Sequence, residues 1–431
     1  MIFGVLKARD YRLLWLGQAI SHLGDQFHLI ALPWLVLSLT HDPFQLGLVL
    51  ALAGVPRAAV MLVGGAFADR HSPRLIMLVS DALRFVLTAA IAASLFTGAV
   101  QLWMVYALAV TFGVVSGFFM PAAEASLPRL LESEQLEAGN ALMMGADQLA
   151  QFVGPALAGT IIALFGTAHV GSGHAGSLNG LGAAFAVDAA SFAVSAATLL
   201  LMHALPALAA GTGDRPLAAI GEGLKYALAQ PVFRWMLGLI AAANLLLIGP
   251  LMVGIPVLAQ SRFSQGAAAF GLLISAYGLG NLIGIVVAGT SRRPSSRTFS
   301  WLILALFAGF GVVIGALAFI TTVWVGVALL AVLGVGNGYV AVVLMTLLQR
   351  ITPSAMLGRV MSLVMLAMLG VTPISTAVSG AVLSLGPGVL FVACGAGMLA
   401  ITVVAATCRH SWSLAALEAG ALPAAGALGA R

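Results

Sequence analysis

Residues 64–76 read GGAFADRHSPRLI and lie between two long apolar runs, LGLVLALAGVP before them and MLVSDALRFVLTAAIAASLF after. Only 8% of the chain is charged, yet Asp69, Arg70 and Arg74 crowd into this stretch. A polar turn between two apolar runs of spanning length is how a chain doubles back at a bilayer surface. The stretch therefore poses two readings: a solvated turn whose arginines fix topology, or a moving part that uses its charges.

Working outward, hydrophobic residues make up 61% of 431 residues, and the mean hydropathy is +1.08. A water-soluble chain of this size cannot hide so much apolar surface. Apolar runs of about 20 residues recur along nearly the whole length, each long enough to cross a bilayer as a helix. Barrel strands would alternate in shorter segments, and no such pattern is present. The fold class is an all-α polytopic membrane protein. The sequence pI near 9.7 is explained by membrane topology rather than by nucleic acid. Cys394 and Cys408 offer neither a disulfide framework nor metal spacing. The opening MIFGVLKARDYRLLW leads into a full-length span with no small-residue cleavage site, so it reads as a retained first helix.

Spans are expected at 14–39, 46–68, 75–97, 101–123, 138–166 and 180–203, and then at 235–260, 268–290, 299–320, 323–348, 360–385 and 388–407. The ninth and tenth are divided by almost no polar break, in IGALAFITTVWVGVALL. With the N-terminus inside, the cytoplasmic segments hold all but three of the 19 Lys and Arg. Arg262 alone falls outside, and Arg57 and Arg84 sit within spans. That asymmetry supports both the orientation and an even number of spans, placing both termini in the cytoplasm of a bacterial inner membrane. The expected organisation is a six-helix bundle over 1–203, a cytoplasmic linker over 204–232, a second six-helix bundle over 233–407 and a cytoplasmic tail over 408–431. Within and beyond the linker, IGEGLKYALAQPVFRWM looks amphipathic and suits the membrane interface. The halves echo each other: SLPRLLESEQLEAGNALM followed by GPALAG, and LLQRITPSAMLGRVMSLV followed by TPISTAVSG.

The pattern Gly65-x-x-x-Asp69-Arg70, with Arg74 beyond, resembles the loop 2–3 signature of the major facilitator superfamily, G-x-x-x-D-R-x-G-R-R. Ser72 and Pro73 stand where that form has a glycine and an arginine. Further stretches resemble its drug:proton antiporter branch, which includes macrolide and siderophore exporters. They are LGDQFHLIALPWLV, PAAEASLPRLLESEQLEAGNALM, GPALAG, FAVDAASFAVSAATLL and PSAMLGRVMSL. The resemblance covers essentially the whole chain. It implies twelve helices in two halves and a conformational latch at Gly65, Asp69, Arg70 and Arg74, answered in loop 10–11 by Gly358 and Arg359. Span 4, WMVYALAVTFGVVSGFFMPAA, lacks the arginine that other drug-exporter branches carry, so a relay through that residue is not carried over.

Ionisable groups inside a bilayer cost several kcal/mol unless paired or hydrated. Here they are Asp25, Arg57, Asp81, Arg84, Asp147 and Asp188, all in the first half. Asp25, near the middle of span 1, is the leading proton site, and Arg57 at similar depth is a plausible partner. The alternative is a permanent structural pair. Asp147 lies two turns from Gly154-Pro155 and is a further coupling candidate. His28, three residues after Asp25, is either a relay or a hydrogen-bonded structural histidine. Asp81, Arg84 and Asp188 read as structural charges, with Asp188 and Arg84 satisfying each other or a neighbouring helix. Gly154, Pro155 and Gly159 read as a bending and packing device. Ser72-Pro73 suits an N-cap and first helical position.

No phosphate-binding loop is present, so direct ATP drive is not expected, and no nucleophile–base pattern suggests an enzyme. His169 and His174, five apart in a Gly-rich loop, make a poor metal site. No cofactor and no metal are expected. The reading is a secondary transporter, acting as a monomer in the lipid bilayer, that exports amphipathic drug- or macrolide-like small molecules in exchange for protons. Its cavity walls would be rich in Met, Phe and Leu. The alternatives are a narrow-substrate exporter of a siderophore or metabolite, an importer, and a non-transporting membrane sensor or scaffold.

Overall fold

A computed structural model describes residues 2–166, 175–204, 231–291, 296–352 and 357–407, which are helical almost throughout and contain no strand. Helices α1 (Arg9–Thr40), α2 (Pro43–Arg70), α3 (Pro73–Phe96), α4 (Leu102–Leu130), α5 (Leu136–Gly166) and α6 (Ala175–Leu201) form the first set. The second comprises α7 (Pro231–Gly249), a π-helical turn at Pro250–Gly254, α8 (Ile255–Arg262), α9 (Ala267–Thr290), α10 (Ser296–Leu317), α11 (Val323–Ile351), α12 (Leu357–Leu369), α13 (Thr372–Leu383) and α14 (Pro387–Thr407).

Among the described residues, ten runs are long and apolar enough to cross a membrane. The charge-bearing α1, 32 residues long, and α10, whose apolar part runs from Trp301 to Leu317, complete the twelve spans. Two of the twelve are compound. The span from Phe233 to Arg262 passes through the π turn at Pro250, and that from Leu357 to Leu383 is interrupted before Thr372-Pro373. Proline removes a backbone donor and clashes with the preceding turn, so it bends or breaks a helix where neighbours can re-satisfy the backbone. Spans nine and ten, which the sequence hardly separates, part at a turn where the amides of Ala318 and Phe319 donate to Gly315 and Ala316.

Turn chemistry explains the first reversal. His41 takes a left-handed φ of 53° and ends α1. Asp42 then accepts the Phe44 amide at 2.9 Å and starts α2, with Pro43 in its first turn. The opening stretch folds differently from a loop. α2 stays helical through Arg70, so Asp69 and Arg70 close that helix, and only His71 and Ser72 separate it from α3. Pro73 does occupy the first turn of α3, but the Ser72 side chain makes no capping bond.

Helices α1–α6 pack mainly among themselves, as do α7–α14. The two sets meet chiefly where α5 crosses α9 and α2 crosses α13. Both crossings are built from glycine. Gly47 faces Gly380 so closely that a Cβ on it would sit 2.9 Å from the other's Cα. A Cβ on Gly159 would sit 3.1 Å from Gly271 Cα, and Gly271 in turn abuts the Pro155 carbonyl. Beside them Gly266, with φ 54°, packs on the Trp34 ring. All these contacts lie at the end of the bundle where α1 finishes and α2 and α9 begin. α4 and α11 pack within their own sets, so among the described residues the opposite end has no comparable seam.

Residues 205–230, most of the expected linker, lie outside the described residues, as does the tail from 408. The last six residues of the expected amphipathic segment, PVFRWM, form the first turns of α7 instead.

Candidate functional site

Beneath the glycine seams lies a cavity of about 220 Å³ between the two sets of helices. Its wall takes Leu29, Leu32 and Pro33 from α1, Leu50 from α2, Phe112 from α4, Phe270 and Ile274 from α9, and Leu251 and Met252 from the π turn. The helix breaks put residues there. The π turn presents Leu251 and Met252, and the start of α13 presents Thr372 and Thr376. The wall is rich in Leu, with two Phe but a single Met. Its polar side chains are His28, Arg57, Ser116, Thr372 and Thr376. Arg57 Nε is buried and has no hydrogen-bond partner.

Behind His28 and Ser116 a polar cluster fills the interior of α1, α3, α4 and α6. His28 Nδ1 is 3.2 Å from Asp188 Oδ2, and its ring stacks on Phe112 with centroids 4.4 Å apart. Asp188 is fully buried and its Oδ1 has no partner. Arg84 Nη1 is 3.7 Å from Asp81 Oδ1, and Nη2 donates to Ser116 Oγ at 3.1 Å. Its guanidinium lies over Phe119 at 4.4 Å, with Phe112 and Phe192 beside it. Asp81 Oδ2 accepts the Ser195 hydroxyl at 2.6 Å. Burying an ion pair is tolerable only when each charge keeps a partner and further hydrogen bonds. The aromatic box adds cation–π attraction for Arg84.

The membrane charges find their partners as follows. Of the two partners expected for Asp188, Arg84 or a neighbouring helix, it takes the second, His28 of α1, because Arg84 is taken by Asp81 one helical turn away on α3. Asp25 acts on Arg57 electrostatically but makes no close ion pair with it. Its nearest basic partner is His22, whose Nδ1 is 3.9 Å from Asp25 Oδ2 and also 3.9 Å from Asp147 Oδ1. Gln151 Nε2 donates to Asp147 Oδ2 at 2.7 Å. The structure thus joins Asp25 and Asp147 through His22, in a half-exposed group at the α1–α5 contact. His28 stands apart from it, on the cavity wall.

Gly154 packs on Gln26 of α1, while Pro155 and Gly159 lie where α5 meets α9. The Ala156 amide donates to Ser275 Oγ across that contact at 2.9 Å. Arg74 does not reach the second set of helices. It donates to the Leu199 and Leu200 carbonyls at 2.6 and 2.9 Å, satisfying the end of α6. Gly65, Asp69 and Arg70 lie in α2, and Gly358 and Arg359 in α12. The side-chain surroundings of these five, and His169 and His174 altogether, lie outside the described residues.

Sequence reading passed over Ser116, Ser195 and Gln151. The signal was present as spacing: Asp81, Arg84 and Thr88 on α3, and Asp188, Ser191, Ser195 and Thr198 on α6, recur at helical intervals as single polar stripes.

The family model for the Major Facilitator Superfamily matches residues 14–376. The chain belongs to the major facilitator superfamily. Among curated relatives of this superfamily member, the enterobactin exporter EntS of Shigella boydii is 27% identical over 354 residues, covering 81% of this chain and 79% of the relative. EntS of Escherichia coli O139:H28 is 26% identical over the same length. Among solved structures, a bacterial homologue of the iron transporter ferroportin superposes with a TM-score of 0.70 at 17% identity, covering 94% of this chain and 98% of that one. The nucleoside transporter NupG gives 0.71 at 11% identity, covering 95% and 99%. These superpositions establish the fold. The chain is a multi-pass membrane transporter of small molecules, not an enzyme.

Proposed function

We propose that this chain is a proton-coupled exporter of amphipathic small molecules that works by alternating access. It would act as a monomer in a bacterial inner membrane with both termini in the cytoplasm. The carrying observation is the central cavity, sealed at one end by the glycine seams of α5–α9 and α2–α13. With the N-terminus inside, that seal is external and the cavity would load from the cytoplasm. Residues 1–203 and 233–407 would rock against each other about the seams, joined by 204–232. Gly65, Asp69 and Arg70 at the end of α2, with Gly358 and Arg359 opposite, would act when the cytoplasmic end closes.

Protons would be handled by the half-exposed group of Asp25, His22 and Asp147. Carboxylates bridged by an imidazole can exchange a proton as the helices carrying them shift. The likeness to the enterobactin exporters favours a second, narrower substrate reading, siderophore export, over a broad drug or macrolide range.

The test uses energised everted membrane vesicles containing the wild type or Asp25→Asn, and follows uptake of a panel of anionic and cationic aromatic compounds, macrolides and enterobactin. Protonophore-sensitive uptake that the variant loses is the expected result. Uptake indifferent to both the protonophore and the substitution would remove the coupling role.

A further inference from the structure

The cavity wall carries its hydrogen-bond donors unequally. The Thr372 hydroxyl donates to the Met368 carbonyl across the break between α12 and α13, at 3.1 Å, and that of Thr376 to Pro373 within α13, at 3.0 Å. Ser116 Oγ is held by Arg84, and the His28 ring is engaged with Asp188. Arg57 alone among these polar wall residues has no hydrogen bond or ion pair to another described residue. Among the described residues no carboxylate lines the cavity, and Asp25 acts on Arg57 only electrostatically, from beyond hydrogen-bonding distance, with its carboxylate 3.9 Å from His22. The remaining wall is aliphatic and aromatic.

We propose that this cavity takes an amphipathic organic anion, a carboxylate or sulfonate on an apolar ring system, with Arg57 as the residue that binds its acidic group. A guanidinium without a hydrogen-bond partner in a weakly polar cavity is costly, and an oxyanion with two adjacent oxygens satisfies it through two hydrogen bonds. A cationic ligand would meet the same charge with nothing acidic on the wall to offset it. Selection thus rests on charge at one wall position and on apolar contact everywhere else. This names the substrate class of the proposed exporter and depends on that reading only for the direction in which the ligand leaves.

The experiment measures binding without transport. Purified full-length protein in phosphatidylcholine nanodiscs is titrated calorimetrically with 2-naphthoate and with 2-naphthylmethylammonium, which share one ring system and differ in charge, against empty-nanodisc blanks. The wild type should bind naphthoate at least about tenfold more tightly than the ammonium compound, the scale of one charge-assisted hydrogen bond. Arg57→Gln should lose about that factor for naphthoate and leave the ammonium compound unchanged, and Arg57→Lys should recover part of it. Equal or tighter binding of the ammonium compound by the wild type overturns the proposal, as does undetectable naphthoate binding, or naphthoate binding that Arg57→Gln leaves intact. The wild-type comparison decides even if the variant does not fold. Naphthoate selectivity without protonophore-sensitive transport in vesicles would keep the anion site and sink the export reading. Protonophore-sensitive transport of cationic compounds with no naphthoate binding would do the reverse.

Discussion

Compare α3–α6, inside the first set of helices, with α9–α11, inside the second. In the first, contact is made by charge: Asp81, Arg84 and Asp188 are each buried and partnered by Ser195, Ser116 or His28. In the second it is made by removing side chains. Gly280 and Gly284 press on the Ala331 and Val335 carbonyls of α11, and Gly334 and Gly338 press back on Tyr277 and Asn281 of α9. Both are answers to the absence of a hydrophobic driving force between helices in lipid, namely polar bonding or close backbone approach. The first contact depends on its pairings, where losing one partner strands a charge. The second depends on size, where adding a methyl group forces helices apart.

The largest effect should come from breaking the charged side. Arg84→Ala leaves Asp81 buried and unpaired and should cost about 3–5 kcal/mol of stability, read as early thermal unfolding of the purified protein. Asp81→Asn combined with Arg84→Met should recover most of that loss. No recovery would mean that the aromatic box, not the pair, holds the site.

Next is size, at the crossing between the sets. Gly271→Leu should cost about 1–3 kcal/mol by overpacking and abolish transport. Gly238→Leu on α7, where no heavy atom comes within 4 Å, should be near neutral. Equal losses at both positions would refute the close-approach argument.

A smaller effect sharpens the contrast from within the second half. The Ser375 hydroxyl donates to the Leu245 carbonyl at 2.6 Å and receives the Gly249 amide at 2.8 Å. Ser375→Ala should cost only about 0.6–1 kcal/mol, the scale of a neutral interhelical bond in lipid, in the same thermal assay. The smallest stability change should be that of Asp25→Asn, within about 0.5 kcal/mol because the group is half-exposed and loosely held. Vesicle uptake should nevertheless lose its sensitivity to the proton gradient.

Span number and limits were legible because apolar length and turn residues are local properties. Pro43, Pro73 and Pro387 each stand in the first turn of a helix, and Gly-Pro and Thr-Pro mark the interruptions before Pro250 and Pro373. The list of membrane charges was legible too, since any Asp or Arg in such a chain stands out. Which charge meets which was not. Asp188 and His28 are 160 residues apart, and Asp81 and Ser195 are 114 apart, so their meeting depends on how α1, α3 and α6 rotate about their axes. The paired role of His22 was missed for the same reason. It faces Asp147 only once Gly154 has brought α5 onto α1. The two-residue turn at His71-Ser72 was missed because Asp69 and Arg70 look like loop residues by charge, whereas a helix emerging from a bilayer carries charge readily in its last turn.

The seal above the cavity closes on glycine backbones and one neutral bond from the Ala156 amide to Ser275, and no ion pair among the described residues crosses it. Parting it breaks no ion pair among the described residues, so opening the seal separates no formal charges. Raising the ionic strength should not loosen it, since there is no charge there to screen. The contacts that hold this gate are thus uncharged ones, whatever charge the ligand brings.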